Sequence, residues 1–371
     1  MNDARARAAV AALIGVTRRI VDPAAAHRQE LCRRLVSSTG LSQAGVEWAL
    51  SRCLELEPSA AELERLFAST VPAPRAHVIL PSNVFVAAHR AIALALASAP
   101  RVFVKPSRRE PVWVDALLGE LPGLFERVEH LTVEAGDHVF AYGSDATLSA
   151  LRSELPGGAV LHAYGAGFGV VIVDLAAERA RGDRGLGELA ERIADDTIAF
   201  DQRGCLSPRL VLAVGNPAHA LGLAQAVAAA LDQAELRVPR GALDATELAE
   251  ARWYQECAAC FGTVFPAGKG YVSARDPDVP RASAELVLHQ SLPPTGRHLE
   301  VLCIADLGGA LDSLRPWLTS VGCSGEPLSS ALQKALPRAR VVALGRMQTP
   351  EFDGPVDRRP DPAGEIIRAR E

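Results

Sequence analysis

The stretch AHVILPSNVFVAAHRAIALALASAPRVFVK (residues 76–105) decides the fold. It contains an apolar run at 77–80, an Ala- and Leu-rich helical segment at 84–97 and a second apolar run at 102–104. Strands that alternate with helices indicate a parallel sheet, so the predicted fold class is α/β. The alternation continues along the chain, with further strands predicted at 131–133, 139–142, 158–163, 169–174, 209–214, 299–305 and 340–344 and helices at 112–125, 186–200 and 217–233.

The predicted elements divide the chain into three parts. Residues 1 to about 70 have helical patterns and form a lead-in, which with the strands that follow makes a first unit over residues 1–174. A second α/β unit covers residues 175–345. Residues 346–371 are rich in Pro, Asp and Arg and are predicted to be an extended C-terminal tail.

Composition limits the classes of function. The chain of 371 residues has a net charge of −5 and no long basic run, which argues against nucleic acid or an anionic membrane as its main partner and favours a small molecule. No segment has the pattern of a signal peptide or the apolar length of a membrane span, so a cytoplasmic protein is expected. The seven cysteines do not resemble a secreted disulfide framework, and the pair Cys257 and Cys260 lacks further zinc ligands, so no metal site is predicted.

A polar segment separates a predicted helix from an apolar strand; it reads Phe200-Asp201-Gln202-Arg203-Gly204-Cys205-Leu206-Ser207-Pro208-Arg209. Cys205 is the best candidate nucleophile of the chain, because Gly204 allows an unusual turn and the small or turn-forming residues after it let the sulfur face a cleft. The competing interpretation is a small buried thiol in the core. Residues elsewhere in the chain favour the nucleophile.

Polar or small residues follow several predicted strands, at the edge where open α/β sheets bind ligands. They are Pro81-Ser82-Asn83, Lys105-Pro106-Ser107, Gly143-Ser144 and His162. Taken singly, Asn83 is more often a helix cap and Lys105 an ordinary exposed strand end. The stretch Gly165-Ala166-Gly167-Phe168-Gly169 has the glycines of a dinucleotide loop, but it runs into a predicted strand where a Rossmann loop requires a helix, so we reject that interpretation.

In this order, the stretches resemble the aldehyde dehydrogenase superfamily over roughly residues 76–355, and most closely its fatty acyl-CoA reductase branch, the type found in bacterial bioluminescence. The part most similar to that branch is Asp201-Gln202-Arg203-Gly204-Cys205-Leu206-Ser207-Pro208. The resemblance implies a Rossmann-type cofactor domain and a second α/β catalytic domain after the helical lead-in.

The resemblance also implies a role for each matching position. Cys205 would be the nucleophile and Asn83 would stabilise an oxyanion. Lys105-Pro106-Ser107 would bind the adenosine ribose, and the Gly143-Ser144 turn would open the helix beneath the pyrophosphate. Arg108 stands where the superfamily commonly has Glu; because a guanidinium pairs with a 2′-phosphate, the expected cofactor is NADPH.

Two motifs of the superfamily are not found. Where aldehyde-oxidising members have Glu-Leu-Gly-Gly, whose Glu activates water, this sequence has His162-Ala163-Tyr164-Gly165. We therefore expect His162 either to move the proton of the CoA thiol or to be a hydrogen-bonded residue of a strand end. The Glu-x-Phe-Gly-Pro motif, which holds the nicotinamide ribose, has no counterpart around Glu285–Pro294.

The predicted function is NADPH-dependent reduction of an acyl thioester to an aldehyde through an acyl-enzyme on Cys205. The acyl group would be carried by CoA or by an acyl-carrier protein. Aldehyde oxidation by the same site and a non-catalytic, cofactor-binding docking subunit are the alternatives. An aldehyde-consuming partner enzyme and a homo-oligomer stay open.

Overall fold

The N-terminal part of the chain is helical, as predicted. The computed structural model describes residues 3–180, 182–276, 292–337, 339–352 and 364–368. Its first elements are α1 (Asp3–Val21), α2 (Arg28–Thr39), α3 (Gln43–Arg52) and α4 (Ala60–Ser69). Ser59 caps α4 by accepting a hydrogen bond from the Glu62 N–H. These helices share one apolar core with the helices of the first sheet, so they form a single body with it.

The first sheet has the strand order of a nucleotide-binding fold. Its strands are β1 (Ala76–Ile79), β2 (Val102–Lys105), β3 (Glu126–Arg127), β4 (His138–Tyr142) and β5 (Val160–Tyr164), connected in part by α5 (Ala87–Ser98), α6 (Val112–Glu120) and α7 (Asp145–Glu154). In space the order is β3-β2-β1-β4-β5, and these strands are parallel. The order reverses between β1 and β4, and ligands bind at such a reversal, outside the carboxyl ends of the strands.

The central strands of the second sheet are buried on both faces. Its strands are β6 (Phe168–Asp174), β7 (Pro208–Val214), β8 (Gly262–Ala267), β9 (Gly270–Arg275), β10 (His298–Ile304), β11 (Leu318–Cys323) and β12 (Arg340–Ala343), in the order β12-β11-β6-β7-β10-β9-β8. Only β8 pairs antiparallel within the described part of this sheet. Val171 and Val173 of β6 pack in one core while Val170 and Ile172 pack in another, as expected of a central parallel strand.

Six helices accompany the second sheet in the described ranges: α8 (Leu175–Arg179), α9 (Gly182–Ile198), α10 (Pro217–Arg237), α11 (Ala245–Phe261), α12 (Leu307–Leu314) and α13 (Glu326–Ala335). α9 and α10 cover one face of the sheet, and α12 and α13 cover the other. No helix in the described ranges combines the length and apolarity needed to cross a membrane.

Two sequence predictions about elements need correction. The strand predicted at 131–133 does not form; β2 pairs instead with the earlier residues Glu126–Arg127. The boundary at Asp174 stays a prediction; Asp174 is the last residue of β6, which pairs with β7 and β11. The tail predicted at 346–371 is not simply extended, because Phe352 is fully buried.

The described end of that tail returns to the first sheet. Glu365 and Ile366 form β13, which pairs antiparallel with β5 and so extends the sheet beyond its parallel strands. Arg152 of α7 holds the strand through the Glu365 carboxylate, with 2.8 Å between Nε and Oε2. Residues 353–363 and 369–371 of the predicted tail lie outside the described residues.

Candidate active site

A cleft of about 840 Å³ lies between the two sheets and contains most of the predicted site residues. It is lined by the loops that follow β1, β2, β4 and β5 and by the loop that precedes β7, which we call the Cys loop (residues 199–207). The predicted residues that line it are Asn83, Lys105, Ser107, Arg108, Gly143, Ser144 and Cys205. The reversal of strand order between β1 and β4 therefore brings together residues that are distant in the sequence.

The Cys loop begins with a strained turn. After α9, a 3-10 turn covers Ala199–Gln202, and three successive residues have positive φ: Phe200 at 53°, Asp201 at 51° and Gln202 at 66°. A left-handed conformation costs a residue other than glycine on the order of 1–3 kcal/mol. The unusual turn that the sequence predicted at Gly204 therefore lies earlier in the loop, at residues 200–202, none of which is a glycine.

Buried polar contacts hold this turn. The Gln202 amide donates to the carbonyls of Pro208 and His298, at 2.7 and 2.6 Å, and its oxygen accepts from the His298 N–H at 2.8 Å. Arg203 donates through Nε and Nη2 to the Glu247 carboxylate, at 2.8 and 3.0 Å. These hydrogen bonds fix the backbone that carries Cys205 and offset the strain, since buried polar networks of this kind specify one conformation.

Close packing positions the other end of the Cys loop. Cys205 is a half-buried thiol on the wall of the cleft, and its carbonyl accepts a hydrogen bond from the Thr319 hydroxyl. A Cβ at Gly204 would lie 3.3 Å from the Val84 side chain, and one at Gly169 only 2.5 Å from the Leu206 carbonyl oxygen. Gly169 therefore lets β6 approach the Cys loop closely. This packing explains the glycine at position 169, which has no role once the dinucleotide-loop interpretation is rejected.

Asn83 is tied to the Cys loop. Its Nδ2 donates to the carbonyl oxygen of Arg203 at 2.6 Å. It does not cap α5, whose N-cap residue is Val86 with no side-chain hydrogen bond. An asparagine amide has two N–H groups, so the second one can serve a ligand in the cleft. The geometry favours the functional interpretation of Asn83 over that of a helix cap.

The loops after β2 and β4 offer positive charge and a helix N-terminus. Ser144 caps α7, its Oγ accepting from the Thr147 N–H, so the first turn of α7 opens at the cleft. Helix N-termini bind phosphate groups through their N–H groups and the helix dipole. Lys105 and Arg108 line the same cleft and form no ion pair with any carboxylate in the described ranges. This side of the cleft therefore suits a phosphate-containing ligand.

The structure places His162 away from the cleft. Its ring is 3% exposed, stacks on Phe140 with 4.3 Å between ring centroids, and lies 3.1 Å (Nε2) from Nδ1 of His138. A Cβ at Gly364 would lie 3.0 Å from its Nδ1, so the C-terminal residues cover it. The predicted transfer of a thiol proton by His162 does not fit this position.

Tyr164, which sequence reasoning passed over, reaches the cleft from the end of β5. Its ring is 3% exposed and stacks on Tyr142, with 4.2 Å between centroids. The Glu-Leu-Gly-Gly comparison concerned residues 162–165, and the end of the strand, known from its pairing with β4, shows which of them reaches the cleft. Of the region around Glu285–Pro294, residues up to 291 lie outside the described residues.

Cys257 and Cys260 lie on α11, and the Cys260 thiol donates to the Glu256 carbonyl of the same helix. Within the described ranges, no group of three His, Cys, Asp or Glu side chains is arranged to hold a metal ion.

The fold is shared with aldehyde dehydrogenases. A benzaldehyde dehydrogenase from Corynebacterium glutamicum matches with a TM-score of 0.66 at 15% identity, over 94% of this chain and 81% of that one. Aldehyde dehydrogenase 21 from Physcomitrella patens matches with a TM-score of 0.66 at 14% sequence identity, over 93% of this chain and 80% of that one. The NADP-dependent glyceraldehyde-3-phosphate dehydrogenase from Bacillus halodurans matches with a TM-score of 0.65 at 14% sequence identity, over 96% of this chain and 80% of that one.

Sequence comparison identifies the family more narrowly. No curated protein gives a significant match to the chain. The family model described as acyl-CoA reductase (LuxC) matches residues 43–357, which includes the Cys loop and the loops at the ends of β1, β2, β4 and β5. The resemblance derived from the residues is therefore confirmed, and the chain belongs to the acyl-CoA reductase (LuxC) family, a family of oxidoreductases that here has the aldehyde dehydrogenase fold.

Proposed function

We propose that the protein reduces an acyl thioester, donated by CoA or by an acyl-carrier protein, to the aldehyde, with NADPH as reductant and Cys205 as nucleophile. The observation that carries the proposal is the hydrogen bond from Asn83 to the Cys loop, at the cleft that also contains Lys105, Arg108 and the start of α7. The cleft is thus lined by an amide that can donate a hydrogen bond, by a thiol and by two cationic side chains that can bind phosphate.

The thiolate of Cys205 attacks the carbonyl carbon of the thioester, and a carbon–sulfur bond forms while the carbonyl oxygen becomes an oxyanion. The second N–H of Asn83 and the backbone N–H of Cys205 would donate to this oxyanion; one such donor is typically worth about 2.7–4 kcal/mol. The bond to the CoA sulfur then breaks, and CoA leaves as a thiolate that takes up a proton. The product of this half-reaction is an acyl-enzyme on Cys205.

The residues at the carboxyl ends of β2 and β4 fit a dinucleotide phosphate. The N–H groups at the start of α7 would bind the pyrophosphate, and Arg108 with Lys105 would bind a 2′-phosphate through charge-assisted hydrogen bonds. When bound, NADPH would supply the hydride that reduces the acyl-enzyme to a thiohemiacetal. Asn83 would stabilise the oxyanion of this thiohemiacetal, and collapse of the oxyanion would release the aldehyde and restore the Cys205 thiolate.

Among the described residues that line the cleft, we find no base suited to hydrolysis of the acyl-enzyme, because both ring nitrogens of His89 have partners within the protein. Among the described residues that line it, the one carboxylate is Glu55, which accepts a hydrogen bond from the Glu57 N–H at 3.0 Å. At the end of β5 stands Tyr164, whose phenol is a poor base near neutral pH. This arrangement favours reduction over the alternative, oxidation of an aldehyde to an acid.

The test combines turnover with detection of the intermediate. A panel of acyl-CoAs should oxidise NADPH, and omission of NADPH should leave an acyl adduct on the peptide that contains Cys205. Cys205→Ala should lose both signals, whereas Cys260→Ala, which alters an exposed thiol on α11, should keep them. An adduct that persists in Cys205→Ala would exclude this nucleophile. Conversion of aldehydes to acids with no acyl-CoA reduction would favour the oxidative alternative, and no turnover with cofactor binding would favour a docking subunit.

A further inference from the structure

The cleft has an inner end that the cofactor-side loops do not reach. It is formed by three segments distant in sequence: the loop after α3 (residues 53–55), the start of α5, and residues 348–352. Its lining side chains have little exposed surface, with Leu54 at 9%, Val86 at 6%, Phe200 at 2% and Phe352 at 0%. By contrast, Asn83, Arg108 and Ser144 at the cofactor side are exposed. The cleft therefore has an exposed polar side and a buried apolar side, which we call the closed end.

Hydrogen bonds from residues 348–352 to α3, α4 and α5 hold the closed end in place. Thr349 donates through its hydroxyl to the Arg52 carbonyl at 2.7 Å, and the Phe352 N–H donates to the Glu62 carboxylate at 2.8 Å. Arg90 of α5 donates through Nε to the Glu351 carbonyl, also at 2.8 Å. The helical lead-in and the segment after β12 are thus joined across α5, so this end of the cleft is formed before a ligand binds.

The closed end is suited to an alkyl group. Leu54, Val86, Phe200 and Phe352 present only carbon. His89 also lies there; burial lowers its pKa to about 4, so the ring is neutral near pH 7. Its Nε2 contacts the Glu55 carbonyl at 2.9 Å and its Nδ1 the Thr17 hydroxyl at 3.1 Å, so both ring nitrogens have partners within the protein. The polar side chains of this end also bond within the protein: Glu55 accepts from the Glu57 N–H, Arg90 donates to the Glu351 carbonyl and Gln348 to the Asp196 carbonyl. An apolar chain bound here would lose contact with water.

We infer that the acyl chain of the substrate extends from Cys205 into this closed end and that Leu54 determines the longest chain it accepts. The inference rests on the proposed function and adds a specificity-determining residue to it. All four apolar residues belong to the packed core of the lead-in and the first sheet, and Phe200 and Phe352 are almost completely buried there, so a change of their size would disturb folding. Leu54 lies on a loop and is the most exposed of the four apolar residues, so its size can change the depth of the cleft with less effect on the core.

The test is a series of straight-chain thioesters from acetyl-CoA to dodecanoyl-CoA, with kcat/KM measured for each. For the parent protein, kcat/KM should rise by about fourfold per methylene until the chain fills the closed end, and then stop rising. Leu54→Trp should reach this limit at a shorter chain and lose roughly tenfold or more on longer ones, with acetyl-CoA changed by less than about twofold. Leu54→Ala should move the limit to a longer chain.

Leu56→Trp is the matched control, because Leu56 belongs to the same loop and does not line the cleft. It should leave the chain-length profile of the parent unchanged. An equal loss at every chain length in Leu54→Trp, or the same profile in both tryptophan variants, would overturn the inference while the proposed function stands.

A binding measurement separates this inference from the proposed function. A dansyl-labelled fatty acid should gain fluorescence with the parent and with Leu56→Trp, and lose most of that gain with Leu54→Trp. If no acyl-CoA is reduced but this pattern holds, the proposed function fails and the apolar site remains. If acyl-CoAs are reduced and the probe binds the three proteins alike, the assignment of Leu54 fails.

Discussion

Arg297 and Asp201 form an ion pair that is almost completely buried, and both residues have a left-handed backbone. Nη2 and Nε of Arg297 lie 2.7 and 3.1 Å from Oδ1 of Asp201, and each side chain is 2% exposed. The φ angles are 71° and 51°. The pair joins the residues before β10 to the strained turn of the Cys loop, so the conformation of that turn depends on a residue far along the chain.

Arg297→Met should destabilise the protein and slow acylation of Cys205. The substitution leaves the Asp201 carboxylate buried without its strongest partner, which typically costs about 3–5 kcal/mol. Urea unfolding and the rate at which an acyl-CoA modifies Cys205 would measure the two effects. Arg315→Met, which removes an exposed ion pair with Asp312, is the control and should change neither by much. Unaltered stability in Arg297→Met would show that the turn is held by other contacts.

Asn83→Ala should lower turnover by on the order of a hundredfold, because it removes an oxyanion donor. Its effect on melting should be small, since the residue does not cap α5 and loses one exposed hydrogen bond. Single-turnover rates and thermal melting of the same preparation would separate the two roles. Asn83→Asp keeps the shape but cannot donate, and it should be at least as slow. A variant that melts earlier but keeps its rate per folded molecule would assign Asn83 a structural role.

Arg108→Glu should reverse the cofactor preference. A guanidinium pairs with the 2′-phosphate, whereas a carboxylate accepts from the ribose hydroxyls and repels the phosphate. Charge-assisted hydrogen bonds contribute about 1.5–3 kcal/mol, so the ratio of kcat/KM for NADPH to that for NADH should fall tenfold or more. Arg109→Glu makes the same charge change at the next exposed residue and should alter the ratio less. Equal ratios in the parent and Arg108→Glu, at low and moderate salt, would contradict the assignment.

The stability of the protein should fall in mild acid because of His89. Burial lowers the pKa of this ring from 6.5 to about 4, against a smaller opposing effect of the hydrogen bond to the Glu55 carbonyl. The unfolded chain therefore takes up the proton first as the pH falls. The stability that neutral His89 contributes is complete above about pH 6.5 and is lost as the pH falls toward about 4, on the order of 2 kcal/mol between about pH 7 and pH 5. Urea unfolding at these two pH values should show a smaller loss for His89→Gln; identical losses would contradict the expectation.

Local patterns located the cofactor side of the cleft, because each loop there directly follows its own strand. Asn83, Lys105 and Ser144 stand at strand or helix ends that the sequence marks, and parallel topology brings those ends to one edge. The position of His162 could not be derived in the same way, since choosing between it and Tyr164 requires the last residue of β5. Strand ends are the least certain part of a prediction from sequence.

The contacts that hold the Cys loop could not be predicted from the sequence of the loop itself. Positive φ at Phe200, Asp201 and Gln202 is held by residues around 297 and 298, and nothing in residues 199–207 specifies that contact. The closed end of the cleft could not be predicted for the same reason, because Leu54 and Phe352 come to line one cleft only through tertiary packing. Such non-local contacts are visible in the structure and not in the periodicity of the sequence.

The closed end also bears on how the chain becomes active during synthesis. Phe352 lines it and lies well after Cys205, so a nascent chain that has the nucleophile and the whole first parallel sheet still lacks one wall of the closed end. Contacts between residues so far apart in sequence form late and slowly in folding. Until residues 348–352 pack in place, Val86 and Phe200 lack part of the core that buries them in the folded protein, and transiently exposed apolar surface of this kind favours aggregation.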